Sequence, residues 1–80
     1  MLITVRFFAS YADKLGVTHT SLTVAPGARV SDLLESVALL PGADSLPPNP
    51  RIAVNQIFAS CETFLAAGDE VAFIPPVAGG

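Results

Sequence analysis

Apolar and polar residues alternate from position 2 to position 8, the two-residue period of a strand. Ile3, Val5 and Phe7 share one face and read as core, whereas Leu2, Thr4, Arg6 and Phe8 make a mixed face suited to partial exposure. Ser10-Tyr11-Ala12-Asp13 has the spacing of a capping box, with Asp13 in place of the usual Glu. It predicts a short helix that runs to Leu15 and stops at Gly16. Alternation returns over residues 20 to 24, with Leu22 and Val24 inward, and Pro26-Gly27 turns the chain. The period then changes. Val30, Leu33, Leu34, Val37 and Leu40 recur at helical spacing, with Asp32, Glu35 and Ser36 on the opposite side. This apolar stripe predicts the main helix, ended by Pro41-Gly42.

Pro41, Pro47, Pro48 and Pro50 then predict a loop without regular structure. Residues 51 to 54 read as a short strand, Asn55-Gln56 as a turn, and residues 57 to 59 as a short returning strand. A turn at Gly68 leads into a last strand over residues 70 to 74, with Val71 and Phe73 on one face and Ala72 and Ile74 on the other. The first two strands form a hairpin, and the helix is a crossover. One long helix across one face of a mixed sheet gives a two-layer α+β domain, the β-grasp arrangement. The expected domain spans residues 1–74, and residues 75–80 form an extended tail ending in Gly79-Gly80.

Composition sharpens this picture. A chain of 80 residues buries roughly 60% of its unfolded surface, which leaves no room for a deep cleft. Hydrophobic residues are 51% and charged residues 14%, more apolar material than so small a core hides. An exposed apolar patch is expected, and such patches mark partner surfaces. The net charge is −3, and Arg6, Lys14, Arg29 and Arg51 are scattered, unlike the basic footprint of a nucleic-acid binder. A single cysteine, Cys61, excludes an internal disulfide and suits a reducing compartment. Neither a membrane-length apolar run nor a signal-peptide pattern is present, so a cytoplasmic protein is expected.

The candidate chemistry lies at the end of the chain, Pro75-Pro76-Val77-Ala78-Gly79-Gly80. Proline cannot donate to a β ladder, so Pro75 ends the strand. Pro75 and Pro76 make a stiff stem that directs the last residues away from the body. Gly79 and Gly80 have no side chains, so they can thread a narrow channel and leave the terminal carboxylate unshielded. A carboxylate is a poor acyl donor. It must first be activated, for example as an acyl-adenylate made by a partner with ATP, after which a thiol or persulfide sulfur can attack the carbonyl.

The sequence also resembles the small subunit of molybdopterin synthase, a ubiquitin-like sulfur carrier. The similar residues are Val5-Arg6-Phe7-Phe8-Ala9, Val54-Asn55-Gln56 and, above all, Gly68-Asp69-Glu70-Val71 leading into Pro75-Pro76-Val77-Ala78-Gly79-Gly80. The resemblance implies that an E1-like enzyme uses ATP and Mg to adenylate the carboxyl of Gly80. A sulfur donor protein then converts it to a thiocarboxylate. The tail enters the large synthase subunit, in a complex of two small and two large subunits, and gives its sulfur to a cyclic pterin precursor. On this reading Gly80 and Gly79 are the reacting end, catalytic side chains lie in the partners, and the carrier binds no cofactor or metal. Many relatives carry an Arg in the short helix where this chain has Ala12; if that Arg contacts the large subunit, the equivalent contact must be made differently here.

An apolar docking patch beside the tail root is expected from Phe8, Phe58 and Ile74, with Arg6 on the same face. The opposing expectation folds Phe8 under the short helix and Phe58 into the core. Cys61 and His19 read as ordinary surface or loop residues, and Asp69 and Glu70 as turn and strand-edge residues. Three alternatives stay open: a carrier for thiamine or tRNA thiolation, a ubiquitin-like protein modifier joined through Gly80, and a binding module without tail chemistry.

Overall fold

The alternating stretches fold as strands and the helical stripe folds as a helix, in the order read from the sequence. The computed structural model describes residues 1–47 and 49–75. Its strands are β1 (Leu2–Phe7), β2 (His19–Thr23), β3 (Arg51–Val54), β4 (Ile57–Ala59) and β5 (Glu70–Ile74). The helices are α1 (Ser10–Leu15) and α2 (Val30–Val37), and a single 3-10 turn covers Ala43–Ser45. The strands form one five-stranded sheet in the order β2-β1-β5-β3-β4. β1 pairs antiparallel with β2 and parallel with β5, and β3 pairs antiparallel with both β5 and β4. This is the mixed β-grasp sheet, with α2 across one face.

The period-two pattern decides which face is covered. Ile3, Val5, Phe7, Ile52, Val71 and Phe73 point inward and are buried. They meet Val30, Leu33 and Val37 of α2, which are also buried, with Leu34 and Leu40 half-buried against them. Phe7 and Phe73 are register partners on neighbouring parallel strands, and their tilted rings lie 5.3 Å apart. Each such side chain contributes about 1.5–3 kcal/mol by leaving water.

The first turn of α2 leaves N–H groups that its own backbone cannot satisfy. Val30 N–H donates to the Thr63 carbonyl and Ser31 N–H to the Cys61 carbonyl, each at 2.9 Å. The segment after β4 therefore straps the helix start, and Arg29 N–H donates to Asp32 Oδ2 (2.8 Å).

Five local expectations change. β2 covers His19–Thr23, one residue earlier than the alternation over 20 to 24. β1 ends at Phe7, one residue early, because Phe8 and Ala9 enter a tight turn in which Tyr11 N–H donates to the Phe8 carbonyl (3.1 Å). Ser10 makes no side-chain cap on α1; Ala9 occupies the N-cap with φ 48°. α2 ends at Val37 rather than Leu40, because Leu40 N–H turns to the Val37 carbonyl (2.9 Å) before Pro41 is reached. The proline loop holds the 3-10 turn, which docks on α1 through the close approach of Gly42 to Lys14.

Candidate functional site

The parallel pairing of β1 with β5 brings the carboxyl ends of both strands to one sheet edge. Ile74 ends β5 there and Pro75 leaves the sheet, one and two residues past Phe73, whose register partner Phe7 is followed by Phe8. Because β3 runs the other way, its first residue, Arg51, is the register partner of Ile74. The C-terminal segment is thus rooted in the middle of the sheet, on a strand paired on both sides. Residues 76–80, which include Pro76, Val77, Ala78, Gly79 and Gly80 of the expected tail, lie outside the described residues, as does Pro48.

The sheet face away from α2 carries the other half of the alternation. One cross-strand row reads His19, Arg6, Ala72, Ala53 and Phe58. Ala72 and Ala53 give the centre a floor of small side chains. Arg6 is not a free cation: its Nε lies 3.1 Å from Glu70 Oε2, on the same face. An exposed pair of this kind contributes under about 1 kcal/mol, so it shapes the surface more than it stabilises the fold.

Phe58 is 68% exposed and Phe8 43% exposed, so neither plugs the core nor hides under α1. Ile74 is half-buried. The structure brings Phe8 and Ile74 to the same edge of the sheet. It sets Phe58 two strands from β5, about 10 Å away. Arg51 stands between them, with its guanidinium carbon 5.5 Å from the centre of the Phe58 ring. The apolar surface is therefore divided by a cation that the sequence pattern did not single out. A groove of about 250 Å³ opens at the same place, lined by Tyr11, Pro47, Asn49, Pro50, Arg51 and Ile74.

A clasp holds the start of β5. Asn55 Nδ2 donates to Asp69 Oδ1 (2.9 Å), and Glu70 N–H donates to Asn55 Oδ1 (3.0 Å). Asp69 Oδ2 accepts from Ala66 N–H (2.8 Å), closing the Gly68 turn. Asp69 holds a turn, as expected, whereas Glu70 opens β5, a central strand paired on both sides rather than a sheet edge. Cys61 is exposed, His19 opens β2 beside Thr18, and no group of His, Cys, Asp or Glu among the described residues is arranged to hold a metal ion.

Residues 5–80 match the ThiS family. The chain belongs to this family. The molybdopterin synthase sulfur carrier subunit of Chlamydomonas reinhardtii is 36% identical over 83 residues, covering 100% of both chains. SAMP1 from Haloferax volcanii superimposes with a TM-score of 0.87 at 29% identity, over 100% of both chains. A chain of the complex of subunits 1 and 2 of molybdopterin-converting factor from Helicobacter pylori gives a TM-score of 0.77 at 23% identity, over 100% of both chains, a likeness of fold. The resemblance read from the motifs is borne out, and so is the ubiquitin-like fold. The matched segment of the ThiS family runs from β1 through the C-terminal glycines.

Proposed function

We propose that this ThiS-family chain is the sulfur carrier subunit of a molybdopterin synthase, working through the carboxylate of Gly80. Full-length similarity to the Chlamydomonas reinhardtii sulfur carrier subunit is the observation that carries this reading. In the proposed sequence, an oxygen of the Gly80 carboxylate attacks the α-phosphate of ATP, held with Mg in an E1-like enzyme, and pyrophosphate leaves. The terminal sulfur of a donor protein's persulfide then attacks the acyl carbon and displaces AMP, giving an acyl disulfide. A second thiol cleaves that disulfide, releasing the thiocarboxylate while the donor leaves disulfide-bonded to that thiol. The C-terminal segment next enters the large subunit, where that sulfur passes to a cyclic pterin precursor. The name of the Helicobacter pylori complex, which pairs subunits 1 and 2, supports a large-subunit partner.

The carrier's own residues do mechanical work in this scheme. Pairing of β5 with β1 and β3 fixes the root of the segment, so docking the body fixes where the tail enters. Phe8, Ile74 and Phe58 supply apolar contacts, with Arg6 beside them. Pro75, Pro76, Val77 and Ala78 are assigned the role of a spacer before Gly79 and Gly80 on this reading.

Similarity to SAMP1, which belongs with the small archaeal modifier proteins, favours a second reading in which Gly80 forms an isopeptide bond with a lysine. Intact mass spectrometry separates the two. After incubation with ATP, Mg, the host's E1-like enzyme and a sulfur donor, the expected product is heavier by the exchange of one oxygen for sulfur. Deleting Gly80 removes that product. Unchanged carboxylate in the complete mixture counts against the carrier reading, and ATP-dependent ladders on host proteins favour the modifier.

A further inference from the structure

Arg6 and Arg51 share a sheet face but differ electrostatically. Arg6 is neutralised by Glu70 at 3.1 Å. Among the described residues, no carboxylate lies within ion-pair distance of Arg51; its guanidinium carbon lies over the Phe58 ring, 5.5 Å from the ring centre. A cation over a ring face is attracted to it without losing its charge. Arg51 also lines the groove at the tail root, whose other walls are Tyr11, Pro47, Asn49, Pro50 and Ile74. None of these is acidic. The volume, about 250 Å³, is several times the roughly 30 Å³ share of one water, so a side chain fits.

We propose that the protein surface receiving the C-terminal segment presents an aspartate or glutamate, which enters the tail-root groove and pairs with Arg51. This rests on the carrier reading and names the chemistry of its partner. A partner that covers Ile74 and Phe58 removes water from the guanidinium between them. Arginine cannot shed its proton, and a desolvated charge without a partner is unfavourable. A carboxylate matches the planar fork with two parallel hydrogen bonds. The chain's net charge of −3 works against an acidic partner at long range. At physiological salt that field is screened beyond about 8 Å, whereas the groove pair forms within contact distance.

The second arginine–phenylalanine pair provides a control. Arg29 lies 4.6 Å from the centre of the Phe64 ring at the start of α2 and does not line this groove.

The test is calorimetric binding of the full-length protein to the large subunit of its own host, at low and physiological salt. Arg51→Ala is expected to weaken binding at least about tenfold and to flatten its salt dependence, with Arg51→Glu weakening it about a hundredfold. Arg51→Lys falls between wild type and Arg51→Ala, because lysine keeps the charge and loses the fork. Asn49→Asp, which places a competing carboxylate in the groove and leaves the Phe58 contact intact, also weakens binding. Arg29→Glu stays within about twofold of wild type. Thermal melts of every variant confirm folding. Wild-type affinity and salt slope in Arg51→Ala, Arg51→Glu and Asn49→Asp overturn the proposal and leave the carrier reading standing. Arg29→Glu as weak as Arg51→Glu also overturns it, since net charge would then explain the loss. A wild-type protein that does not bind the large subunit overturns the carrier reading and this proposal together.

Discussion

Ala9 holds a backbone conformation that alanine resists, with φ 48° and ψ −124°. Together with the Tyr11-to-Phe8 hydrogen bond, these angles place it at the first central position of a type II′ turn, where glycine is preferred. A non-glycine residue in a sparsely populated region costs about 1–3 kcal/mol. Glycine relieves that strain but gives back about 0.5–1 kcal/mol through the entropy of the unfolded chain. Ala9→Gly is therefore expected to stabilise the protein by about 1 kcal/mol. For a domain of this length that raises the melting temperature by roughly 4–8 °C, measurable by calorimetry. An unchanged or lower melting temperature would show that the turn is not strained. Ala9 was invisible in the sequence because the Ser10–Asp13 spacing drew attention to a capping box. A turn upstream had already set the helix start. Asn55-Gln56 was legible for the opposite reason: asparagine tolerates left-handed φ, and both residues have positive φ, 50° and 72°. Arg51 was missed as a site residue because its significance lies in register. Only the pairing with Ile74 and the fold-back of Phe58 put it at the tail root.

Elements were read well where one face is buried. The strand alternation and the α2 stripe survive folding because a one-residue slip in β1 would expose Ile3, Val5 and Phe7 together. Legibility failed where contacts between elements override local pattern. Leu40 continues the helical spacing, yet the chain leaves the helix after Val37 and forms the 3-10 turn that packs on α1. That packing depends on Gly42. Its φ is +85°, and a Cβ there would sit 2.3 Å from the Lys14 carbonyl oxygen and 3.2 Å from the Leu15 Cα. Both are backbone atoms, so α1 must shift. Gly27 provides a matched comparison, with φ +83° and nothing within 4 Å of its Cβ position. Gly27→Ala should cost only the left-handed backbone penalty, about 1–2 kcal/mol. Gly42→Ala should cost about 1–3 kcal/mol more, from overpacking. Urea titrations of both variants measure the difference. Equal midpoints would mean that α1 yields freely.

At the scale of the whole molecule, the first and last strands meet at the centre of the sheet, so the fold closes only when the full chain is available. β5 contributes Val71 and Phe73, fully buried, and bonds to both β1 and β3. At about 1.5–3 kcal/mol each, those two side chains supply roughly 3–6 kcal/mol. A domain of this length has about 4–12 kcal/mol of stability in total. A chain cut after Asp69 therefore loses a share comparable to everything it has, together with two ladders of hydrogen bonds. It is expected to show no cooperative melt. A chain cut after Pro75 keeps the whole buried cluster, which ends at Phe73. It is expected to melt within a few degrees of the full-length protein while accepting no sulfur in the reconstituted mixture. Near-ultraviolet circular dichroism and calorimetry on the two truncations decide the matter. A cooperative melt without β5 would show that the central strand is dispensable. A collapsed melt after the Pro75 cut would show that the last five residues belong to the body, against the proposal that they enter another protein's active site.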